Sequence, residues 1–193
     1  MLFFKRLGKL NLTVNLHFRG KMRILVYDDS EINLKIAEAQ FSSLHDLKTV
    51  STYDEAQQTL LQEPLFDVAL IDLLVPCSGQ ALADKSQGGK ELPVGIFIGL
   101  LAAKKGARFV AVFTDLNHHK HPASACFDAF NNRETSPTAF SVESAKLILC
   151  NNTNWVRDFD PENLSQPLDW LDKNPNKVCG KNWNALLEYL LSM

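Results

Sequence analysis

Short strand-like runs, separated by helical patterns and followed by polar residues, constrain the fold of this chain most strongly. The runs lie at residues 22–27, 48–52, 66–71, 108–113 and 146–150. Most of them are almost continuously apolar, which is typical of strands buried on both faces of a parallel sheet. Helical patterns follow Ser30, a candidate N-cap, and occupy residues 53–62, 92–105, 122–130 and 182–191. The alternation predicts βαβ units with right-handed crossovers.

This pattern predicts an α/β fold: a flavodoxin-like, doubly wound parallel five-stranded sheet of order 2-1-3-4-5, with helices on both faces. The 193 residues are enough for one domain with a sizeable core. We expect that domain over residues 22–193, with insertions near residues 77–91 and 151–180. Loops of such length are uncommon unless they are functional or flexible.

Residues 1–21 differ from the rest, because they carry several basic side chains and no acid. The charges interrupt the apolar residues, which argues against a secretory signal. We expect a poorly ordered basic extension, or translated upstream sequence ahead of Met22. The alternative is a basic amphipathic arm that contacts a membrane surface or an acidic partner.

Composition excludes several classes of protein. Twenty basic and 22 acidic residues leave a formal charge of -2, so nothing indicates nucleic acid as the main partner. No apolar run reaches the length of about 18 residues that a transmembrane helix needs. The 4 cysteines form no CxxC pair, so neither a zinc site nor a redox motif is indicated. We expect reduced thiols in a cytoplasmic protein.

Carboxylates follow two of the strand-like runs. Asp28 and Asp29 come directly after the first run, and Asp72 follows the third. In the expected order these strands are neighbours, and ligands bind beyond their carboxyl ends. Clustered carboxylates repel one another, and Mg²⁺ with its preference for oxygen ligands would relieve the repulsion. The pattern therefore predicts a metal or phosphoryl site, although ordinary caps and turns remain the alternative. Thr114, after the fourth run, would bond a phosphoryl oxygen or cap a turn.

Three segments resemble the main motifs of response-regulator receiver domains; they are ILVYDDS at residues 24–30, FDVALIDLLVP at 66–76 and VAVFT at 110–114. The resemblance implies that Asp28 and Asp29 are the acid pair that binds Mg²⁺. It further implies that Asp72 is the phospho-acceptor and that Thr114 is the switch hydroxyl.

One part of the receiver pattern is missing. Receivers place a lysine just after strand five, where it pairs with the phosphoryl group, but this strand ends in Cys150-Asn151-Asn152. Lys146 stands at the wrong end of that strand. Lys181 would have to fold back from far along the chain, and no local pattern predicts that it does.

The resemblance implies a stand-alone signalling module rather than an enzyme, with Mg²⁺-dependent phosphorylation of Asp72. A histidine kinase or phosphotransfer protein would donate the phosphoryl group, and a downstream effector would carry the output. The missing lysine motivates an alternative, a phosphorylation-independent pseudo-receiver that binds a protein partner. A third hypothesis is a small metal-dependent phosphoryl-transfer or hydrolytic enzyme that uses the loop histidines His118, His119 and His121. Solvated loop histidines are the simpler interpretation of that loop.

Overall fold

The computed structural model describes residues 20–77, 89–115, 121–131, 137–151, 155–169 and 174–193. Almost all of the expected N-terminal extension lies outside the described residues. The same holds for most of the insertion expected near residues 77–91, and for His118 and His119.

Helices and strands alternate along the first half of the chain, and strands dominate the second half. The strands are β1 (Arg23–Tyr27), β2 (Asp46–Val50), β3 (Val68–Asp72), β4 (Val75–Pro76), β5 (Glu91–Leu92), β6 (Phe109–Phe113), β7 (Ala139–Val142), β8 (Ala145–Cys150), β9 (Val156–Asp160), β10 (Asn163–Pro167) and β11 (Val178–Lys181). The helices are α1 (Glu31–Phe41), α2 (Tyr53–Gln62), α3 (Gly95–Lys104), α4 (Pro122–Cys126) and α5 (Trp183–Ser192).

The central sheet has 6 strands in the order β2-β1-β3-β6-β8-β7. Every neighbouring pair from β2 to β8 is parallel, and only β7 is antiparallel, at the edge beside β8. The predicted α/β class with a mostly parallel sheet is therefore confirmed. The prediction of five strands missed β7, which forms a hairpin with β8 and lies partly exposed at the edge. Such an edge strand lacks the continuous apolar run of the inner strands.

Helices cover both faces of this sheet, because successive strand residues point to opposite sides. Ile24 and Val26 of β1 belong to a core that also contains the buried residues of α1 and α5. Leu25 and Tyr27, on the opposite face, pack in a core with α2 and α3.

Two predicted helices differ from the observed ones. The helix expected over residues 92–105 begins only at Gly95, because Leu92 pairs with Val75 in the small β4-β5 ribbon. The helix expected over residues 122–130 divides into α4 and a 3-10 turn at Phe127–Phe130.

The insertion predicted near residues 151–180 contains a second, antiparallel sheet of order β10-β9-β11. This inserted sheet packs on α1 through β10 and β11. Gly180 makes the approach of β11 possible, since a side chain at that position would collide with Ile36. The last residue of β11 is Lys181, and α5 follows almost at once.

Across the described parts of the chain, no helix has the length and apolar character needed to cross a membrane.

Candidate functional site

The register of the parallel strands brings Asp28, Asp72 and Thr114 to one edge of the central sheet. Tyr27 pairs with Ile71, so Asp28 and Asp72 follow paired residues on neighbouring strands. Asp72 in turn pairs with Phe113, the residue before Thr114. All three side chains that the motifs single out here are buried. In open α/β sheets, ligands bind beyond the carboxyl ends of the parallel strands, which is this edge.

A lysine from the inserted sheet joins the two acids. Lys181 Nζ donates to Oδ2 of Asp28 at 2.7 Å and to Oδ1 of Asp72 at 2.5 Å. The lysine side chain is only 1% exposed, so solvent screens the attraction within these ion pairs very little. The sequence left open whether Lys181 folds back onto the acids, and the structure shows that its ammonium group reaches Asp72.

Aromatic rings and a further acid complete the surroundings of the ammonium group. Lys181 Nζ lies 5.3 Å from the ring centres of both Phe113 and Trp183, a distance at which ring faces attract cations. Asp115 Oδ1 lies 3.8 Å from the same nitrogen, on a more exposed side chain.

Further hydrogen bonds hold the two buried carboxylates. Oδ1 of Asp28 accepts from the backbone N–H of Ser30 at 2.9 Å, and Asn33 Nδ2 donates to both oxygens of Asp28 at 3.1 and 3.2 Å. Oδ2 of Asp72 accepts from the backbone N–H of Leu74 at 3.2 Å. Ser30 stands at the N-cap position of α1, but its side chain makes no capping hydrogen bond.

Asp29 differs from its neighbours because its side chain is exposed. Partial burial and the adjacent Asp28 carboxylate nevertheless raise the pKa of Asp29. Among the described residues, no three His, Cys, Asp or Glu side chains are grouped so that they could hold a metal ion by themselves. The Mg²⁺ site of Asp28, Asp29 and Asp72 stays a prediction.

Burial and charge act in opposite directions on the central pair. Burial is the largest effect on Asp72 and raises its pKa to about 7, while the Lys181 ammonium group limits the rise and Asp28 adds to it. Burial alone would lower the pKa of Lys181, but the carboxylates of Asp28 and Asp72 outweigh it and the net shift is upward. Lys181 is therefore charged at neutral pH, and the acids around it still exceed the positive charge that it supplies.

The raised pKa of Asp72 predicts how stability changes with pH. The native state holds this proton more tightly than the unfolded chain, where an aspartate has a pKa of about 3.9. We therefore expect the free energy of unfolding to fall by about 1–3 kcal/mol as pH rises from 5 to 8. Urea denaturation across that range measures the fall, and Asp72→Asn should remove most of it. Other groups, such as His45, titrate in both proteins, so only the difference between the two pH profiles reports on Asp72. Identical profiles would contradict the raised pKa of Asp72.

The histidine loop is described only at its end. His121 Nδ1 accepts from the backbone N–H of Ala123 at 3.1 Å and so caps α4. This is a structural role. His118 and His119 lie outside the described residues, so the hypothesis of a histidine-dependent enzyme stays untested.

Sequence reasoning left three residues of this site unassigned: Asn33, Asp115 and Lys181. Asn33 comes shortly after Asp28, and Asp115 directly follows Thr114. Their closeness in sequence to predicted site residues could have identified both as candidates. Lys181 had no such signal, because the whole inserted sheet separates it from β8.

Comparison of the chain with protein-family models, curated proteins and solved structures found no match. What the site does must therefore be inferred from its own geometry and from the motifs in the sequence.

Proposed function

We propose that the chain is a receiver-like signalling module in which Asp72 accepts a phosphoryl group. The contact of Lys181 Nζ with Asp72 Oδ1, at 2.5 Å, carries the proposal. The receiver pattern requires a cation beside the acceptor acid, and no lysine directly follows β8. Lys181 brings such a cation to Asp72 instead. The proposal includes a flavodoxin-like architecture, with β2, β1, β3, β6 and β8 as the strands of order 2-1-3-4-5 and β7 as an addition at the edge.

The chemistry needs a nucleophile, a cation and a hydrogen-bond donor, and each has a candidate here. An oxygen of ionised Asp72 attacks phosphorus of a phosphohistidine on a kinase or phosphotransfer protein. The new O–P bond forms as the N–P bond breaks, and the electron pair of that bond stays on the histidine nitrogen, which then takes up a proton. Lys181 offsets the negative charge of the phosphoryl group. Thr114 donates its hydroxyl to a phosphoryl oxygen.

The donor set also fits Mg²⁺. Carboxylates outnumber the single ammonium group here. Burial above all, and to a smaller extent the Asp28 carboxylate, raises the pKa values of Asp29 and Asp72, and a bound cation would oppose both effects. Asp29 and Asp72, with Asp28 beside them, are the residues that would hold the ion. Bound Mg²⁺ would neutralise phosphoryl oxygens and orient them toward Asp72.

Beryllofluoride, an analogue of the phosphoryl group, tests the proposal. In the presence of Mg²⁺ it should raise the Tm of the wild-type protein by about 5 °C or more at saturation. Asp72→Asn should lose this shift, whereas Asp158→Asn, which changes a surface acid of the inserted sheet, should keep it. No shift in wild type, or an equal shift in Asp72→Asn, would count against phosphoryl chemistry.

One observation favours the pseudo-receiver as a second candidate. Each carboxylate oxygen of Asp28 and Asp72 already accepts a hydrogen bond within the protein. The buried acids are thus satisfied without a ligand, as in a module that binds a protein partner in a single state. The beryllofluoride experiment separates the two candidates, because a pseudo-receiver shows no shift in wild type.

A further inference from the structure

Asn33 connects the acid site to the strand that carries Lys181. Its Nδ2 group donates to both oxygens of Asp28, at 3.1 and 3.2 Å. Its Oδ1 accepts the backbone N–H of Lys181 at 3.0 Å. One buried amide therefore contacts an acid at the end of β1 and the backbone at the end of β11.

These contacts fix the orientation of the amide. A carboxylate can only accept hydrogen bonds and a backbone N–H can only donate, so the nitrogen must face Asp28 and the oxygen must face Lys181. The backbone of Asn33 is held as well, because its carbonyl oxygen accepts from Trp183 Nε1 at 2.9 Å. An aspartate at this position would place a carboxylate oxygen against Asp28, and alanine would remove both contacts.

The packing of β11 leaves this amide little freedom. A Cβ atom on Gly180 would lie 3.1 Å from Asn33 Oδ1 and would also collide with Ile36. The strand therefore approaches α1 closely at the residue before Lys181, and Asn33 is the polar group that meets it there.

We propose that Asn33 is a positioning residue, which sets the distance between Asp28 and the backbone of Lys181 so that the ammonium group reaches Asp72. This role rests on the proposed function insofar as Lys181 serves a phosphoryl group at Asp72. The placement of Lys181 itself can be measured without any phosphoryl chemistry.

Gln40 provides a matched control on the same helix. It is also a buried amide of α1, and it also bridges to the chain around the start of α5: Nε2 donates to Asn182 Oδ1 at 3.1 Å, and Oε1 accepts from the backbone N–H of Asn184 at 2.9 Å. It makes no hydrogen bond to the acids. Gln40→Ala should thus destabilise the protein in a similar way without moving Lys181.

The experiment measures the reactivity of the Lys181 amine toward an acylating reagent under native conditions, by mass spectrometry of each lysine. Lys181 should be protected in wild type and in Gln40→Ala. In Asn33→Ala and Asn33→Asp its labelling should accelerate by about tenfold or more, beyond what the urea midpoints explain. Lys177, which is exposed, should react equally in all four proteins.

Equal protection of Lys181 in Asn33→Ala and wild type would overturn the positioning role, and so would equal loss of protection in Asn33→Ala and Gln40→Ala. Measuring beryllofluoride binding in the wild-type protein separates failure of the positioning role from failure of the proposed function. Wild type that binds beryllofluoride, together with protected Lys181 in Asn33→Ala, rejects only the role of Asn33. Wild type that does not bind it, together with Lys181 exposed only in the Asn33 variants, rejects only the phosphoryl function.

Discussion

Replacing Lys181 with methionine should lower the free energy of unfolding at pH 7 by about 3–5 kcal/mol, because it leaves the buried carboxylates of Asp28 and Asp72 without their shared cation. Urea denaturation measures the loss. Lys177→Met is the control within the same inserted sheet: that lysine also pairs with an acid, Asp158, at 2.6 Å, but the two side chains are 46% and 39% exposed. Exposed pairs of this kind add little to stability, so Lys177→Met should unfold at nearly the same urea concentration as wild type.

Two further results should accompany that loss. It should shrink toward pH 5, because Asp72, whose pKa is about 7 even beside Lys181, is then protonated in both proteins and has no charge for the cation to offset. Adding Asp28→Asn and Asp72→Asn to Lys181→Met should recover more than half of the stability. A loss in Lys181→Met no larger than in Lys177→Met would show that the ammonium group does not neutralise buried acids.

Gly95→Ala should lower the free energy of unfolding by about 3 kcal/mol, the upper part of the usual range for overpacking. A Cβ atom on Gly95 would collide with the carbonyl oxygen of Asp72 and would lie 2.9 Å from Leu73 Cα. These are backbone atoms at the strand end that carries Asp72, so they cannot move aside as a side chain does. Elsewhere in a helix the same substitution stabilises by up to about 1 kcal/mol, which makes the sign of the effect diagnostic.

Gly20→Ala is the control for this substitution, since a Cβ atom there meets nothing within 4 Å. Thermal or urea unfolding of both variants gives the comparison. A Gly95→Ala protein as stable as wild type, with its beryllofluoride response intact, would show that α3 does not begin against the peptide of Asp72.

The inner strands and the meeting of the acids could be predicted because burial on both faces leaves a signal in the sequence. β1, β3 and β6 are continuous apolar runs, and each is followed or ended by a polar residue at the same edge of the sheet. Once their order is assumed, the approach of Asp28 to Asp72 follows from chain geometry alone.

The inserted sheet and Lys181 could not be predicted in the same way. β10 is polar and largely exposed, and β9 has only two apolar residues, Val156 and Phe159, so neither strand shows the alternation or the apolar run by which strands are recognised. The position of Lys181 depends on contacts between distant parts of the chain, above all the close approach of Gly180 to α1 and the hydrogen bond from the Lys181 backbone N–H to Asn33. The only local sign of these contacts in the sequence is that a glycine, Gly180, precedes Lys181.

The most direct test of the central claim is covalent labelling with acetyl phosphate and Mg²⁺, followed by borohydride trapping and mass spectrometry of the peptides. Borohydride reduces an aspartyl phosphate to homoserine and so marks the acceptor. The proposed function predicts that the mark appears at Asp72 in wild type and is lost in Asp72→Asn. An unmarked wild-type protein, or a mark at Asp28 or Asp29 that persists in Asp72→Asn, would contradict it.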